Sequence, residues 1–186
     1  MKVKVKFDSD EVKDLYLKAS DNKSIFPFKT YESDFCYDVV ATSCKEIAPN
    51  VYKYGLGMAF QIEREEWLLQ DGKMIDIGNG LSYAKTLPIS ILWQKANINL
   101  SIDFRPRSSV WKTGMSLSNC EGTIDEGYIN NVSAVFYHLM PNMPKYEVGD
   151  KIGQIKIGVT LPMSFIEVDA LDNTERGLNG YGSTGK

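Results

Sequence analysis

Short runs with the two-residue alternation of β-strands, or with their β-branched and aromatic richness, recur along this chain: Lys2 to Phe7, Val51 to Ile62, Ile98 to Phe104, Val132 to Leu139, Ile152 to Val159 and Ser164 to Val168. Successive side chains of a strand point to opposite faces, so such runs suit sheets with a buried side. Turn chemistry separates them, as in Ala-Pro-Asn at 48–50, Pro-Asn-Met-Pro at 141–144 and Val-Gly-Asp at 148–150. That punctuation favours a closed or sandwiched antiparallel sheet over a βαβ alternation. An all-β fold is expected, and 186 residues suit one such domain better than two.

Two stretches depart from the rhythm. Residues 63–96 join a charged run, Glu63-Arg64-Glu65-Glu66, to apolar and aromatic residues ending at Leu92 and Trp93, a pattern open to a helix, a hairpin or both. The tail from Leu171 to Lys186 carries Gly177, Gly180, Gly182 and Gly185, which disfavours a packed strand or helix. The expected organisation is a β domain over 1–170, interrupted at 63–96, and a mobile tail over 171–186.

Charge and cysteine content exclude several function classes. Twenty-one basic against 24 acidic residues leave a net charge of -3, so nothing draws the chain generally to nucleic acid and any phosphate site must be local. Cys36, Cys44 and Cys120 outline neither a disulfide framework nor a zinc site, and they suit a reducing cytoplasm. The opening Met-Lys-Val-Lys-Val-Lys-Phe alternates instead of building an apolar signal core, and no run approaches 18 apolar residues, so neither export nor a membrane span is expected.

The tail from Arg176 to Gly185 has what a phosphate wrap requires. Small residues let backbone N–H groups approach an anion, Ser183 and Thr184 offer hydroxyls, Arg176 supplies charge and Tyr181 a stacking face. It lacks the GxxxxGK[ST] order of a P-loop, and a frayed end has the same composition. Asp125, in Gly122-Thr123-Ile124-Asp125-Glu126-Gly127-Tyr128, suits a base that takes a proton from water, or a plain hairpin turn. Arg107-Ser108-Ser109 after Pro106 suits a polyphosphate or a polar strand end. His138, the sole histidine, has no nucleophile motif to serve and is read as structural.

Taken in order, these segments resemble the five motifs of the trimeric dUTPase family. The first is Phe35-Cys36-Tyr37-Asp38-Val39, the second Pro106-Arg107-Ser108-Ser109, and the third runs from Asn119 to Tyr128. The fourth is Gly149-Asp150-Lys151-Ile152-Gly153-Gln154, and the fifth is the tail. The resemblance covers roughly 1–62 and 97–186, leaving 63–96 as an insertion between the first two motifs. It implies a jelly-roll β-barrel that assembles as a homotrimer with shared active sites and hydrolyses dUTP to dUMP and pyrophosphate. It further implies Asp125 as the general base, and Asp38 as holder, through water, of a Mg2+ cofactor. Substrate contacts would come from Arg107, Ser108, Ser109, Asn119, Gly122, Gln154, Arg176, Tyr181, Gly182, Ser183 and Thr184. Tyr128 would pack on the deoxyribose and reject a 2′-hydroxyl.

Departures from the family pattern fall around the pocket. Cys36 replaces a Gly, Gly127 stands where an Asp often precedes the Tyr, Ile129-Asn130 replaces a polar-Gly pair, and Tyr181 replaces a Phe. The dCTP deaminases share the fold, but their catalytic Glu would fall at Val135, and no acidic residue occurs from Asn130 to Pro144. A third reading makes the 63–96 insertion, with Trp67, Leu68, Leu69, Leu92 and Trp93, a protein-partner surface.

Overall fold

The computed structural model describes residues 2–63, 75–76, 82–83, 99–175 and 177. Alternating Lys2–Phe7 forms β1, followed by the helix α1 (Asp10–Ala19). The chain then lays down β2 (Tyr37–Val40), β3 (Ser43–Ala48), β4 (Val51–Gly55), β5 (Met58–Glu63), and the two-residue pair β6 (Ile75–Asp76) and β7 (Ser82–Tyr83). The longer β8 (Asn99–Pro106) follows, then a 3-10 turn over Ser108–Lys112. The last strands are β9 (Met115–Leu117), β10 (Gly122–Asp125), β11 (Ser133–His138) and β12 (Lys151–Thr160). Two four-stranded antiparallel sheets, β10-β8-β12-β2 and β3-β4-β11-β9, enclose the core, and β1 pairs with β5 beside them. The fold is all-β, as expected.

Period-2 alternation explains which face is buried. On β8, Leu100, Ile102 and Phe104 point into the core, whereas Ser101, Asp103 and Arg105 take the other face. Phe136 of β11 lies at the centre, with Tyr54, Phe104 and Tyr146 edge-on at centroid distances of 5.8, 6.3 and 5.6 Å. Such tilted pairs add to the area term of burial.

Two strand expectations need correction, and one helix was not foreseen. Val51 to Ile62 is two strands, because Gly57 between them has φ +66 and an added Cβ would lie 2.6 Å from a Val12 methyl. Ser164 to Val168 forms no strand: Phe165 is 90% and Ile166 83% exposed, so the residue types of a strand are present without a partner strand among the described residues. The helix α1 carries no strand rhythm. It buries Val12 and Tyr16, four residues apart on one face, and has acidic residues in its first turn and Lys18 in its last, complementing the helix dipole. Tyr16 explains its own burial, since its hydroxyl accepts from Val40 N at 3.2 Å and donates to Leu56 O at 3.5 Å.

Of 63–96, only Glu63 and the backbone pairing of β6 with β7 are described; the insertion and its partner surface otherwise lie outside the described residues. No helix among the described residues is long and apolar enough to cross a membrane.

Candidate functional site

Two groups of the expected site residues come together, at opposite edges of one sheet. The first is built on the pairing of β12 with β2, which sets Gln154 against Asp38. Asp38 is only 3% exposed, and a buried carboxylate needs compensating partners. Its Oδ1 accepts from Gln154 Nε2 at 3.0 Å and forms an ion pair with Arg107, whose Nε lies 3.1 Å away, and its Oδ2 lies 3.9 Å from Lys151 Nζ. Lys151 is steered by Phe28, whose ring lies 4.8 Å from Nζ and whose backbone pairs with that of Asp38. The first, second and fourth sequence motifs thus meet in one cluster. Arg107 precedes the 3-10 turn in extended backbone, and Ser108 and Ser109 open that turn, Ser108 exposed and Ser109 half-buried.

The second group lines a cleft of about 320 Å³ between the β9–β10 connection and β11. Asn119, Gly122, Asp125 and Tyr128 all contribute to its wall, with apolar residues such as Phe104 and Leu117 behind them. Gly122 leaves room beside Asn119, for an added Cβ would lie 3.8 Å from the Asn119 Nδ2. Asp125 ends β10 and is exposed, and its backbone carbonyl accepts from Tyr128 N at 2.9 Å. That turn brings the Tyr128 ring back over the cleft, and its hydroxyl donates to Asn131 O at 3.2 Å. Among the described residues Asp125 makes no side-chain hydrogen bond or ion pair, and it is the one carboxylate of the cleft lining. Val135 lines the same cleft, so an apolar side chain occupies the position where a deaminase would need its acid.

The tail residues Arg176, Tyr181, Gly182, Ser183 and Thr184 lie outside the described residues. Sequence reading missed Lys151 as a neighbour of Asp38, and it missed the pairing of Arg105 with Glu121, whose Nε to Oε1 distance is 2.6 Å. Lys151 and Glu121 lie inside the fourth and third motifs, but their pairings follow from strand register, which a single sequence does not state.

No group of three or more His, Cys, Asp or Glu side chains suited to a metal occurs among the described residues. Asp38, already facing Arg107 and Lys151, does not suit direct ligation. Its Oδ2, with only Lys151 at 3.9 Å beside it, is the atom left to face an ion that keeps its waters and takes other ligands from phosphates, which is the usual habit of magnesium.

Comparison with known proteins addresses family and fold. The family model described as dUTPase matches residues 83–185. The deoxyuridine 5'-triphosphate nucleotidohydrolase of Clostridium novyi is 30% identical over 172 residues, covering 92% of this chain and 98% of that protein. Its counterpart from Corynebacterium diphtheriae is 36% identical over 123 residues, covering 65% of this chain and 74% of that one. Among solved structures, a point mutant of the dUTPase of phage 80alpha aligns with TM-score 0.60 at 16% identity, covering 98% of each chain. Another mutant of the Staphylococcus bacteriophage 80alpha dUTPase, with dUpNHpp, aligns with TM-score 0.57 over 100% of this chain and 99% of that one, also at 16% identity. The protein is thus a nucleotide hydrolase by class. The chain belongs to the dUTPase family.

Proposed function

We propose that the protein, a dUTP diphosphatase, splits dUTP into dUMP and pyrophosphate with Asp125 as the base that activates water. The observation that carries this reading is the lone carboxylate in an otherwise polar-neutral and apolar cleft, with no cation among the described residues beside it to compete for its lone pairs. Asp125 takes a proton from the attacking water, and the resulting nucleophile meets the α-phosphorus in line as pyrophosphate leaves. Asn119 and the backbone beside Gly122 read the uracil edge, and the Tyr128 ring fills the space that a 2′-hydroxyl would need. Arg107, Ser108 and Gln154 hold the phosphates, and the tail residues Arg176, Tyr181, Gly182, Ser183 and Thr184 close over them. Magnesium, held by the phosphates and by Asp38 through water, would supply charge neutralisation there.

This chemistry asks for more than one chain. Asp125 is level with Ser101 and Gly158, whereas Gln154 is level with Arg105. Two inter-strand steps and a four-residue offset separate Asp125 from Gln154 by about 16 Å, yet both must reach one α-phosphorus. A homotrimer with shared sites removes the conflict, Asp125 of one subunit working with Gln154 and Arg107 of another. The exposed apolar run beyond β12, with Leu161, Met163, Phe165 and Ile166, supports such an assembly, because nothing among the described residues covers it. An apolar groove of about 390 Å³ lined by Val3, Val5, Phe26 and Phe60 offers a matching surface. Free thiols at Cys36, Cys44 and Cys120 are consistent with a cytoplasmic location.

The test is purified protein with dUTP, dCTP, dTTP and UTP, following pyrophosphate and base identity. Pyrophosphate from dUTP alone is expected, and ammonia release from dCTP would instead revive the deaminase reading.

A further inference from the structure

Three exposed residues, Asn119, Cys120 and Glu121, make the turn that enters β10. The turn is tight: Glu121 N–H donates back to Asn119 O, and Cys120 between them sits at φ +55, the left-handed region that side chains other than glycine seldom adopt. Local geometry of this type persists when something outside it over-determines it. The described residues supply one such contact. β10 starts with Gly122 opposite Phe104 of β8, so the next step of the ladder sets Glu121 opposite Arg105. Arg105 Nε donates to Glu121 Oε1 at 2.6 Å. β8 is an inner strand, paired to both β10 and β12, so Arg105 stands on a rigid base and Glu121 on the turn.

We propose that Glu121 is a positioning residue for base recognition: its ion pair with Arg105 holds the 119–122 turn so that Asn119 presents its amide to the base. The inference rests on the base contact proposed above for Asn119. Glu121 touches neither the nucleotide nor the attacking water, and it acts by limiting the conformations from which Asn119 must be recruited on binding. An ion pair so exposed contributes little to global stability, and its effect therefore falls on substrate affinity.

The experiment is steady-state kinetics on dUTP with the full-length protein and four variants. Glu121→Gln and Arg105→Gln should each raise KM about twofold to fivefold, the range open to an exposed pair, with kcat within twofold and an unchanged melting temperature. The charge-reversed double variant, Glu121→Arg with Arg105→Glu, should recover most of the lost KM, which loss of side-chain bulk would not do. Wild-type KM in either single variant overturns the proposal, as does a double variant no better than the singles. Asn119→Ala separates the two readings: unchanged KM there would fail the base contact itself, whereas a raised KM beside an unaffected Glu121→Gln would fail the clamp alone.

Discussion

Asp38 and Asp125 belong to opposite outer strands of the same four-stranded sheet, and their surroundings could hardly differ more. Asp38 is buried and occupied, with an amide and a guanidinium on one oxygen and an ammonium near the other. Asp125 is exposed and has no such partner among the described residues. The difference suits the roles proposed for the two. A carboxylate that accepts a proton from water must keep a lone pair available, whereas one that organises cations around a polyphosphate is best fixed in place beforehand. The first is therefore dispensable for the fold, and the second is part of it.

Substitutions can break that contrast. The largest expected effect is on rate: Asp125→Asn should cut dUTP turnover about 10²- to 10⁴-fold while melting near the wild-type temperature, since no structural partner is lost. A pyrophosphate assay with a thermal melt checks it, and near-normal turnover would remove Asp125 from the chemistry. Asp38→Asn should also cost most of the turnover but, unlike Asp125→Asn, should lower stability by about 3 kcal/mol in a urea titration because Arg107 and Lys151 lose their buried counter-charge. An unaltered midpoint would mean the cluster is not structural.

A smaller effect sharpens the comparison at a third carboxylate, Asp103 of β8. Burial alone would raise its pKa, but hydrogen bonds from Lys156, with Nζ at 2.5 Å, and from Ser101, at 2.8 Å, outweigh it and hold the carboxyl below its usual range. A pKa depressed in the folded state stabilises above the unfolded value, about pH 4, and the contribution is lost as pH falls through the folded value. Asp103→Asn should thus destabilise by about 1–2 kcal/mol at pH 7, and the gap to wild type should shrink below about pH 4. A gap constant from pH 7 to pH 3 would assign the loss to packing instead.

Much of the fold was legible because strand rhythm is local: β1, β8, β11 and β12 fall where alternation set them, within a residue or two. The helix α1 was not, since a single helical turn's worth of buried spacing, Val12 to Tyr16, is lost among charged neighbours. The Ser164 to Val168 run misled for the opposite reason, having strand residues with no partner strand among the described residues. At the candidate site, the residues carrying unusual chemistry in ordered motifs could be named from sequence. Their partners could not, for Lys151 beside Asp38 and Glu121 beside Arg105 depend on which strands pair and in what register.

The central claim is that Asp125 and the Asp38 cluster of one chain serve different active sites, and subunit mixing tests it most directly. Asp125→Asn and Asp38→Asn chains, each nearly inactive alone, are co-expressed at equal levels and the assembled protein is assayed for pyrophosphate release from dUTP. If sites are shared around a trimer, every mixed trimer contains one site with both native carboxylates, and random assembly should restore about a quarter of wild-type activity. A mixture as inactive as its parents would place both carboxylates in a site built by a single chain, and would contradict the account.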